Sequence, residues 1–319
     1  MTTAPASRGE STLPAPASID LPRLDALEDL EARSGSSAAL LRTIVGSVLR
    51  PLGGWMSSAR AVELLAALDI PGSTARSALT RLCARGVLAR EVRRGAAGYG
   101  LTAAAIPMLE RGDLRIFADR TPAPDDSWCL VSYSIPESHR SRRHRLRRRL
   151  ESLGCGTVSD GLWIAPSRLA GDLRDATSAL AAPGEATLFT EVRPDTAELP
   201  VLVAGWYDLD RMRAAHNTFL AHFGDAADPA TDREAFARWM RALDEWRVIP
   251  YLDPGLPAAA LPSDWPGARS AALFDVLLAT LAPRALAHAR LAAASRTSAE
   301  HPADTRPGPG RIDSIPDPV

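Results

Sequence analysis

The sequence contains no lysine, so all 37 of its basic residues are arginine. Because the guanidinium group is planar and always charged, every arginine contact in this protein is made by a rigid fork of N–H donors.

Cysteine is also scarce: Cys83, Cys129 and Cys155 are scattered, and none belongs to a CxxC or Cys/His cluster. Their number and spacing argue against a zinc site and exclude a framework of disulfide bonds.

Long apolar runs are missing as well. No stretch approaches the roughly 20 apolar residues that a membrane span needs. The first 20 residues have neither the basic start nor the apolar core of a secretory signal. We therefore expect a cytoplasmic protein that contacts no membrane.

The common catalytic and cofactor motifs are absent. The sequence has no GxSxG elbow and no HExxH, and the glycines of GCGTVSDG (154–161) have the spacing of a tight turn rather than of a phosphate loop. His216 and His222 lie six residues apart, so a single helix face does not carry both. We predict no catalytic residue, no metal site and no cofactor, and hence a protein that is not an enzyme.

Charge is unevenly distributed along the chain, although the net charge is only −1. Residues 36–120 and 121–150 carry formal charges of +6 and +4, whereas residues 1–35 and 151–319 carry −3 and −8. This asymmetry favours a basic half that contacts a polyanion.

Three helical patterns and two strand-like pieces follow one another between residues 37 and 102. The helices are predicted in SAALLRTIVGSVLRPL, SSARAVELLAALDI and GSTARSALTRLCARG, and the strands in VLAREVRR and GYGLT, joined by a GAAG turn. Three helices followed by a hairpin is the order of a winged helix-turn-helix.

The third of these helices has an apolar and a polar face, with a cap predicted at Ser73 or Thr74. Ala75, Ala78, Leu79 and Leu82 form its apolar stripe. The opposite face is short and polar, which allows a helix to enter a major groove, and it carries one arginine that can pair with guanine. An ordinary solvated face has the same pattern, but the basic hairpin tip that follows favours DNA binding. The predicted DNA-binding residues are Ser73, Thr74, Arg76, Ser77, Thr80, Arg81, Arg85, Arg93 and Arg94.

The middle of the chain alternates strands and helices. A strand in WCLVSYSIP, a helix at 137–153, a strand in GCGTVSDGLWIAP, a helix in SRLAGDLRDATSAL and a strand in ATLFTEVR predict a small ferredoxin-like α+β domain. The remainder is mainly helical except for the Pro-rich stretch 248–267. The predicted regions are a disordered tail at 1–37, a winged-helix domain at 38–105, a linker at 106–127, a ferredoxin-like domain at 128–193, a helical C-terminal domain at 200–295 and a disordered tail at 296–319.

Several long stretches resemble the PaaX-type repressors, regulators of phenylacetic acid catabolism. The resemblance spans roughly residues 38–292, and its most specific parts are WCLVSYSIPESHRSRRHRLRRRLESLGCGTVSDGLWIAP (128–166) and YLDPGLPAAALPSDWPG (251–267). It implies an operator-binding winged helix, a middle domain like the CRISPR-associated Cas2 fold, and release by an aryl-CoA thioester such as phenylacetyl-CoA. Two positions depart from the family, which usually has an aromatic residue where Cys155 stands and often has a tyrosine where His216 stands.

The arginine-rich helix at 137–153 is predicted to pack on a sheet through Leu146, Leu150 and Leu153. Its exposed face lacks the short polar side chains that a helix needs in order to contact base edges, so this helix is poorly suited to sequence recognition. Three roles stay open for it: a solvated or ion-paired face, DNA phosphate contacts, or contacts to the phosphates of a CoA-type effector. Given the resemblance, the candidate effector-binding residues are Arg140, Arg142, Arg143, Arg147, Trp163 and Trp265.

The partners predicted from these patterns are double-stranded operator DNA, a small-molecule effector and a second copy of the chain. One recognition helix reads too few base pairs to find a site in a genome, so we expect a homodimer. Two alternatives remain: a winged-helix protein that acts through a protein partner without an effector, and a Cas2-like nuclease. The nuclease is disfavoured because Ser132 and Ser134 stand where the first strand would need an aspartate.

Overall fold

The computed structural model describes residues 34–117, 127–195, 197–225 and 227–294. Most of the predicted tails at 1–37 and 296–319, and residues 118–126 of the predicted linker, lie outside the described residues. Helices and two antiparallel sheets form an α+β protein, with a small N-terminal sheet, a central ferredoxin-like sheet and a helical C-terminal part. The predicted fold class is therefore confirmed.

The N-terminal part is built of three helices and a three-stranded sheet. Ser36 and Ser57 begin the first two helices by accepting hydrogen bonds from the backbone amides of Ala39 and Arg60. A short strand before the second helix, absent from the sequence prediction, completes the sheet by pairing with the last of its three strands. The elements are α1 (Ser37–Ile44), continued by a π-helical turn (Val45–Leu49), β1 (Trp55–Ser57), α2 (Ser58–Ala66), α3 (Gly72–Ala84), β2 (Leu88–Arg93) and β3 (Ala96–Leu101).

The segment predicted as a linker begins with a helix, α4 (Ile106–Ile116). Pro107 lies in its first turn, where a missing N–H does no harm. Asp113 binds Arg50 at 2.5 Å, and the Ile116 carbonyl oxygen accepts a hydrogen bond from the Trp246 indole. These contacts fix α4 against both the N-terminal and the C-terminal parts of the molecule.

The middle part has a βαββαβ chain order, and its first and third strands lie in the middle of a four-stranded sheet, which is the ferredoxin-like topology. The single strand predicted in residues 154–166 is two strands, because Gly161 (φ 78°) turns the chain at Asp160–Gly161. The elements are β4 (Trp128–Tyr133), α5 (Arg140–Ser152), β5 (Gly156–Ser159), β6 (Leu162–Pro166), α6 (Ala170–Leu180) and β7 (Ala186–Val192).

The C-terminal part is helical apart from the irregular Pro-rich stretch 253–266. Its last helix is long and apolar enough over Gly267–Arg290 to cross a membrane, by length and composition only. A core helix passes the same test, and Phe274, Leu277 and Leu281 of this helix are buried, so the observation is weak evidence for a membrane span. The elements are α7 (Leu199–Trp206), α8 (Leu209–Phe223), α9 (Asp232–Trp246), α10 (Ile249–Leu252) and α11 (Gly267–Ala294).

The N-terminal and C-terminal parts share one hydrophobic core. Leu41 and Ile44 of α1 belong to the same buried cluster as Trp246 and Phe274, whose rings stack 4.5 Å apart. Arg60 of α2 strengthens this junction by donating to the Ala289 and His288 carbonyl oxygens of α11, each at 2.8 Å.

The central sheet has cores of its own. One face packs Trp163 against Leu146, Leu150 and α6. The other face packs Trp128 and Ile164 against α7 and the Pro-rich stretch, where the Tyr207 hydroxyl donates to the Ile164 carbonyl oxygen at 2.9 Å.

Candidate functional site

Helix α3 buries its apolar stripe as predicted and presents a polar face to solvent. Ala75, Ala78, Leu79 and Leu82 are buried. The cap prediction was wrong: the helix begins at Gly72 after Pro71, without a side-chain cap. The extended backbone of Pro71 (ψ 144°) is the usual conformation of the residue just before a helix. The polar face consists of exposed Ser73, Arg76, Ser77 and Thr80, flanked by exposed Arg81 and Arg85, with Thr74 half-buried.

The hydroxyl groups on this face are positioned by the helix backbone. Ser77 Oγ donates to the Ser73 carbonyl oxygen at 3.1 Å, and Thr80 Oγ1 donates to the Arg76 carbonyl oxygen at 3.0 Å. Each hydroxyl oxygen keeps lone pairs with which to accept a hydrogen bond from outside. Together with Arg76 the face therefore offers both acceptors and donors to a base edge.

The hairpin β2–β3 turns at Arg94 and Gly95 rather than in the predicted GAAG. Arg93 pairs with Ala96, and both turn residues have positive φ values, 50° and 78°. A two-residue hairpin turn of this kind requires positive φ at both positions, which suits Gly95. Residues 96 and 97 consequently extend β3, and Arg94 stands exposed at the tip.

Arg93 is less available than Arg94. Its guanidinium binds the Glu91 carboxylate at 2.8 Å and lies 5.8 Å from the centre of the Trp55 ring. Trp55 was missed as a site residue. Its ring covers Gly98, where a Cβ would lie 2.6 Å from the indole, so the glycine in β3 was the signal that could have revealed it.

The structure does not bring together the six candidate effector residues. Trp163 is buried in the core of the central sheet. Trp265 lies elsewhere, donating to Asp253 at 3.3 Å, with the Arg213 guanidinium 5.2 Å from its ring centre. Arg140 is exposed. The other three arginines are ion-paired: Arg142 with Glu185 at 2.8 Å, Arg143 with Glu137 at 2.6 Å and Arg147 with Glu151 at 3.0 Å.

A cleft of about 520 Å³ lies where the N-terminal, middle and C-terminal parts meet. None of the six candidate effector residues lines it. Its walls come from α1, the end of α3, α4, the arginine-rich α5 and the end of α9. Sequence reasoning missed this site because its walls come from segments far apart in the chain.

Buried polar contacts stabilise the walls of the cleft. Asp244 of α9 accepts from Thr43 Oγ1 and Arg247 Nε, each at 3.0 Å. Arg115 of α4 donates to the Leu153 and Pro250 carbonyl oxygens, which joins α4 to the middle and C-terminal parts. Burial lowers the pKa of the Arg115 guanidinium below its ordinary value, and arginine remains charged even so.

A buried Ser–His–Asp cluster lies in the C-terminal part. His216 binds Ser270 Oγ through Nδ1 at 2.6 Å and Asp253 Oδ2 through Nε2 at 2.9 Å. Ser270 is fully buried, so its hydroxyl does not meet a substrate from solvent. Burial would raise the pKa of Asp253, but the contacts with His216 and two backbone amides lower it overall. The cluster therefore fixes the Pro-rich stretch onto α8 and α11.

The strand end where Cas2-type cleavage needs a carboxylate carries Ser132 and Ser134, both exposed. The nearby carboxylate, Glu137, is bound to Arg143 at 2.6 Å. A carboxylate held by a guanidinium is poorly placed to bind a catalytic cation.

Comparisons with known proteins agree along the chain. The model of the PaaX-like protein matches residues 36–105, that of the PaaX protein central Cas2-like domain matches 121–203, and that of the PaaX-like protein C-terminal domain matches 207–291. The solved structure of the uncharacterized protein Rv0674 from Mycobacterium tuberculosis is 23% identical, with a TM-score of 0.53 over 81% of this chain and 100% of that one, and shows a similar fold. No curated protein matches significantly. From its N-terminal helices to its C-terminal ones, the chain belongs to the PaaX family.

Proposed function

We propose that this protein is a ligand-responsive transcriptional repressor that binds operator DNA through its winged helix. The PaaX family is known as a family of transcriptional repressors, and its regulators are not enzymes. The observation that carries the proposal is the outer face of α3, where Ser73, Arg76, Ser77 and Thr80 are exposed beside the Arg94 hairpin tip. In this arrangement α3 lies in the major groove, and Arg81, Arg85 and Arg94 contact phosphates.

A selection from random duplex DNA with the full-length protein tests this proposal. We expect enrichment of one partly palindromic sequence. We also expect its affinity to fall steeply with salt, because the phosphate contacts release counterions. Binding that shows no sequence preference would contradict the proposal.

We propose further that two copies bind one operator. The half-sites would lie about 34 Å apart, or a multiple of that distance, because two recognition helices then face the same side of the duplex. Val276 of α11 and Val201 of α7 are exposed and supply apolar surface for an interface in residues 201–295. Sedimentation of the complex tests this: a monomer that binds one operator tightly would contradict it.

Release is proposed to follow binding of an aryl-CoA thioester such as phenylacetyl-CoA, which would place the regulated genes in aromatic catabolism. CoA carries several phosphate charges, which arginines bind by charge-assisted hydrogen bonds. A mobility-shift titration with phenylacetyl-CoA, CoA and phenylacetate tests the effector. If none of them releases DNA, the protein acts without this effector, and a repressor that works through a protein partner becomes the better hypothesis.

A further inference from the structure

The cleft between the three parts of the molecule has a large excess of positive charge. Eight arginines and two aspartates line it, a formal excess of six positive charges. Like charges brought together in a partly water-excluded space repel one another. An anion that enters the cleft would relieve this repulsion.

The two carboxylates of the cleft are already engaged. Asp113 binds Arg50 at 2.5 Å, and Asp172 lies 3.5 Å from Arg115. In the part of the chain that the structure describes, the cleft arginines Arg111, Arg145 and Arg149 form no ion pair. Arg149 also contributes to the lowered pKa of Arg115, after burial as the main cause, so its charge acts inside the cleft.

The rest of the lining is apolar. Leu82 and Val87 come from the end of α3 and the start of the wing, Met108 and Leu109 come from α4, and Phe117 follows α4. Phe117 is 41% exposed although it lies 6.0 Å, ring centre to ring centre, from Phe274. A pocket with an apolar wall and a few converging charged groups is the usual form of a small-molecule site.

We propose that this cleft is the effector site. It takes a ligand with more than one negative charge joined to an apolar group, the charged end on Arg111, Arg145 and Arg149 and the apolar end on the α3–α4 wall. The proposal rests on the proposed function only for the consequence of binding, which is release of DNA. It places the site on the Arg145–Arg149 face of α5 and not on the Arg140–Arg147 face suggested by the sequence.

The position of the cleft also explains how a bound ligand would change the affinity for DNA. Leu82 and Arg85 belong to the end of the recognition helix and its C-cap, and both line the cleft together with α5 of the middle part. A ligand that contacts both would fix the position of α3 relative to the central sheet. It lowers DNA affinity if it binds the conformation that does not fit DNA more tightly.

Calorimetry with phenylacetyl-CoA, CoA, phenylacetate and 8-anilinonaphthalene-1-sulfonate tests the site on the full-length protein. Two variants are compared that remove the same charge from α5: Arg145→Gln/Arg149→Gln in the cleft and Arg140→Gln/Arg147→Gln outside it. Arg174→Gln/Arg211→Gln, exposed on α6 and α8, is the control for net charge.

We expect wild type to bind phenylacetyl-CoA more tightly than CoA, and CoA more tightly than phenylacetate. The cleft variant should weaken binding of phenylacetyl-CoA roughly tenfold or more, as expected from loss of hydrogen bonds to charged groups. The other two variants should bind it as wild type does. Binding of the naphthalene sulfonate alone, which carries a single negative charge, would contradict the multiply charged ligand class proposed for the cleft.

Three further results would overturn the proposal. The first is that none of the four probes binds wild type. The second is that the Arg140/Arg147 variant, and not the cleft variant, loses probe binding. The third is that the cleft variant keeps probe binding but loses affinity for all DNA sequences with a shallower salt dependence, which would make the cleft a DNA phosphate surface. The random-DNA selection is scored separately, so failure of the repressor function and failure of this site remain distinguishable.

Discussion

Helices α3 and α5 are each 13 residues long, and each buries an apolar stripe, yet their arginines are used differently. On α5, Arg142, Arg143 and Arg147 are bound to carboxylates of the middle part. On α3, Arg76 and Arg81 are exposed and form no ion pair with any residue that the structure describes. Both arginines of α3 are therefore available, whereas α5 pairs part of its set and leaves others unpaired within the described part of the chain, among them Arg145 and Arg149 in the cleft. The number of charges on a helix says less about binding than whether those charges are already paired.

The two helices also belong to different cores. Helix α3 is part of the cluster that joins the N-terminal and C-terminal parts, whereas α5 packs on the central sheet. A change in one core should therefore affect one helix before the other.

Asp244→Ala should give the largest effect and tests the separation of the cores. Asp244 is 1% exposed and binds Thr43 and Arg247. Its loss leaves Arg247, whose side chain is only 14% exposed, without a partner carboxylate, which should lower the free energy of unfolding by about 3–5 kcal/mol. Hydrogen exchange should show lost protection in α1 and α9 and retained protection in β4 and β6.

The control for this change is Glu151→Ala, which removes the carboxylate partner of Arg147 on the exposed face of α5. Its cost should be about 1 kcal/mol or less, because partly exposed ion pairs contribute little. Equal loss of protection in the central sheet with Asp244→Ala would show that the cores unfold as one.

A triple change, Ser73→Ala/Arg76→Ala/Thr80→Ala, sharpens the contrast between the two surfaces. If Arg76 pairs with a guanine, its loss alone should cost about 1–3 kcal/mol of specific binding, and the triple variant should lose its preference in a selection from random DNA. Arg147→Ala/Arg148→Ala on α5 should leave the selected sequence unchanged. Reversed outcomes would assign base reading to the arginine-rich helix.

Arg94→Gly should separate stability from DNA binding at the hairpin tip. Arg94 has a φ of 50°, a conformation that costs a residue with a Cβ roughly 1–2 kcal/mol. Glycine removes this cost but loses more entropy on folding, so we expect a net stabilisation of about 0.5–1 kcal/mol. Affinity should fall for all DNA sequences alike, with the salt slope reduced by about 0.9. Thermal melts and salt titrations measure both, and loss of preference at one base would contradict a phosphate role.

The smallest expected effect is a pH dependence that belongs to the shared core. Burial, Arg60 and Arg233 lower the pKa of His288, against smaller opposing effects of Glu63 and Asp232. The unfolded chain then binds the proton more readily, so stability should decrease as pH falls below about 6.5, the ordinary histidine pKa. Denaturant titrations between pH 7.5 and 5.5, at about half-unit steps, should show this decrease for wild type and less of it for His288→Gln.

The sequence predicted most helices because each buries one stripe at helical spacing, as with Ala75, Ala78, Leu79 and Leu82. It missed β1 because the three residues Trp55–Ser57 are too short to show a period. It merged β5 and β6 although Asp160–Gly161, between Ser159 and Leu162, is a two-residue hairpin signal.

Site residues were predictable only where one element carries them. The outer face of α3 follows from a single helix period. Arg111 of α4 lines the cleft together with Arg145 and Arg149 of α5. No local sequence pattern predicts that segments so far apart in the chain lie close together. The pairing of Arg142 with Glu185 was equally hidden, since it depends on β7 lying beside β4.

The hydrophobic cluster shared by α1–α3 and α8–α11 has a consequence for inheritance. A gene fragment for residues 36–105 would encode a chain whose Leu41 and Ile44 lose the neighbours supplied by residues 207–291. Recombination that transfers only the first part of the gene would thus produce an N-terminal part with exposed apolar surface, prone to associate with other chains. The gene segments that encode residues 36–105 and 207–291 therefore have to be inherited together, and the N-terminal part is not free to be exchanged alone among related proteins.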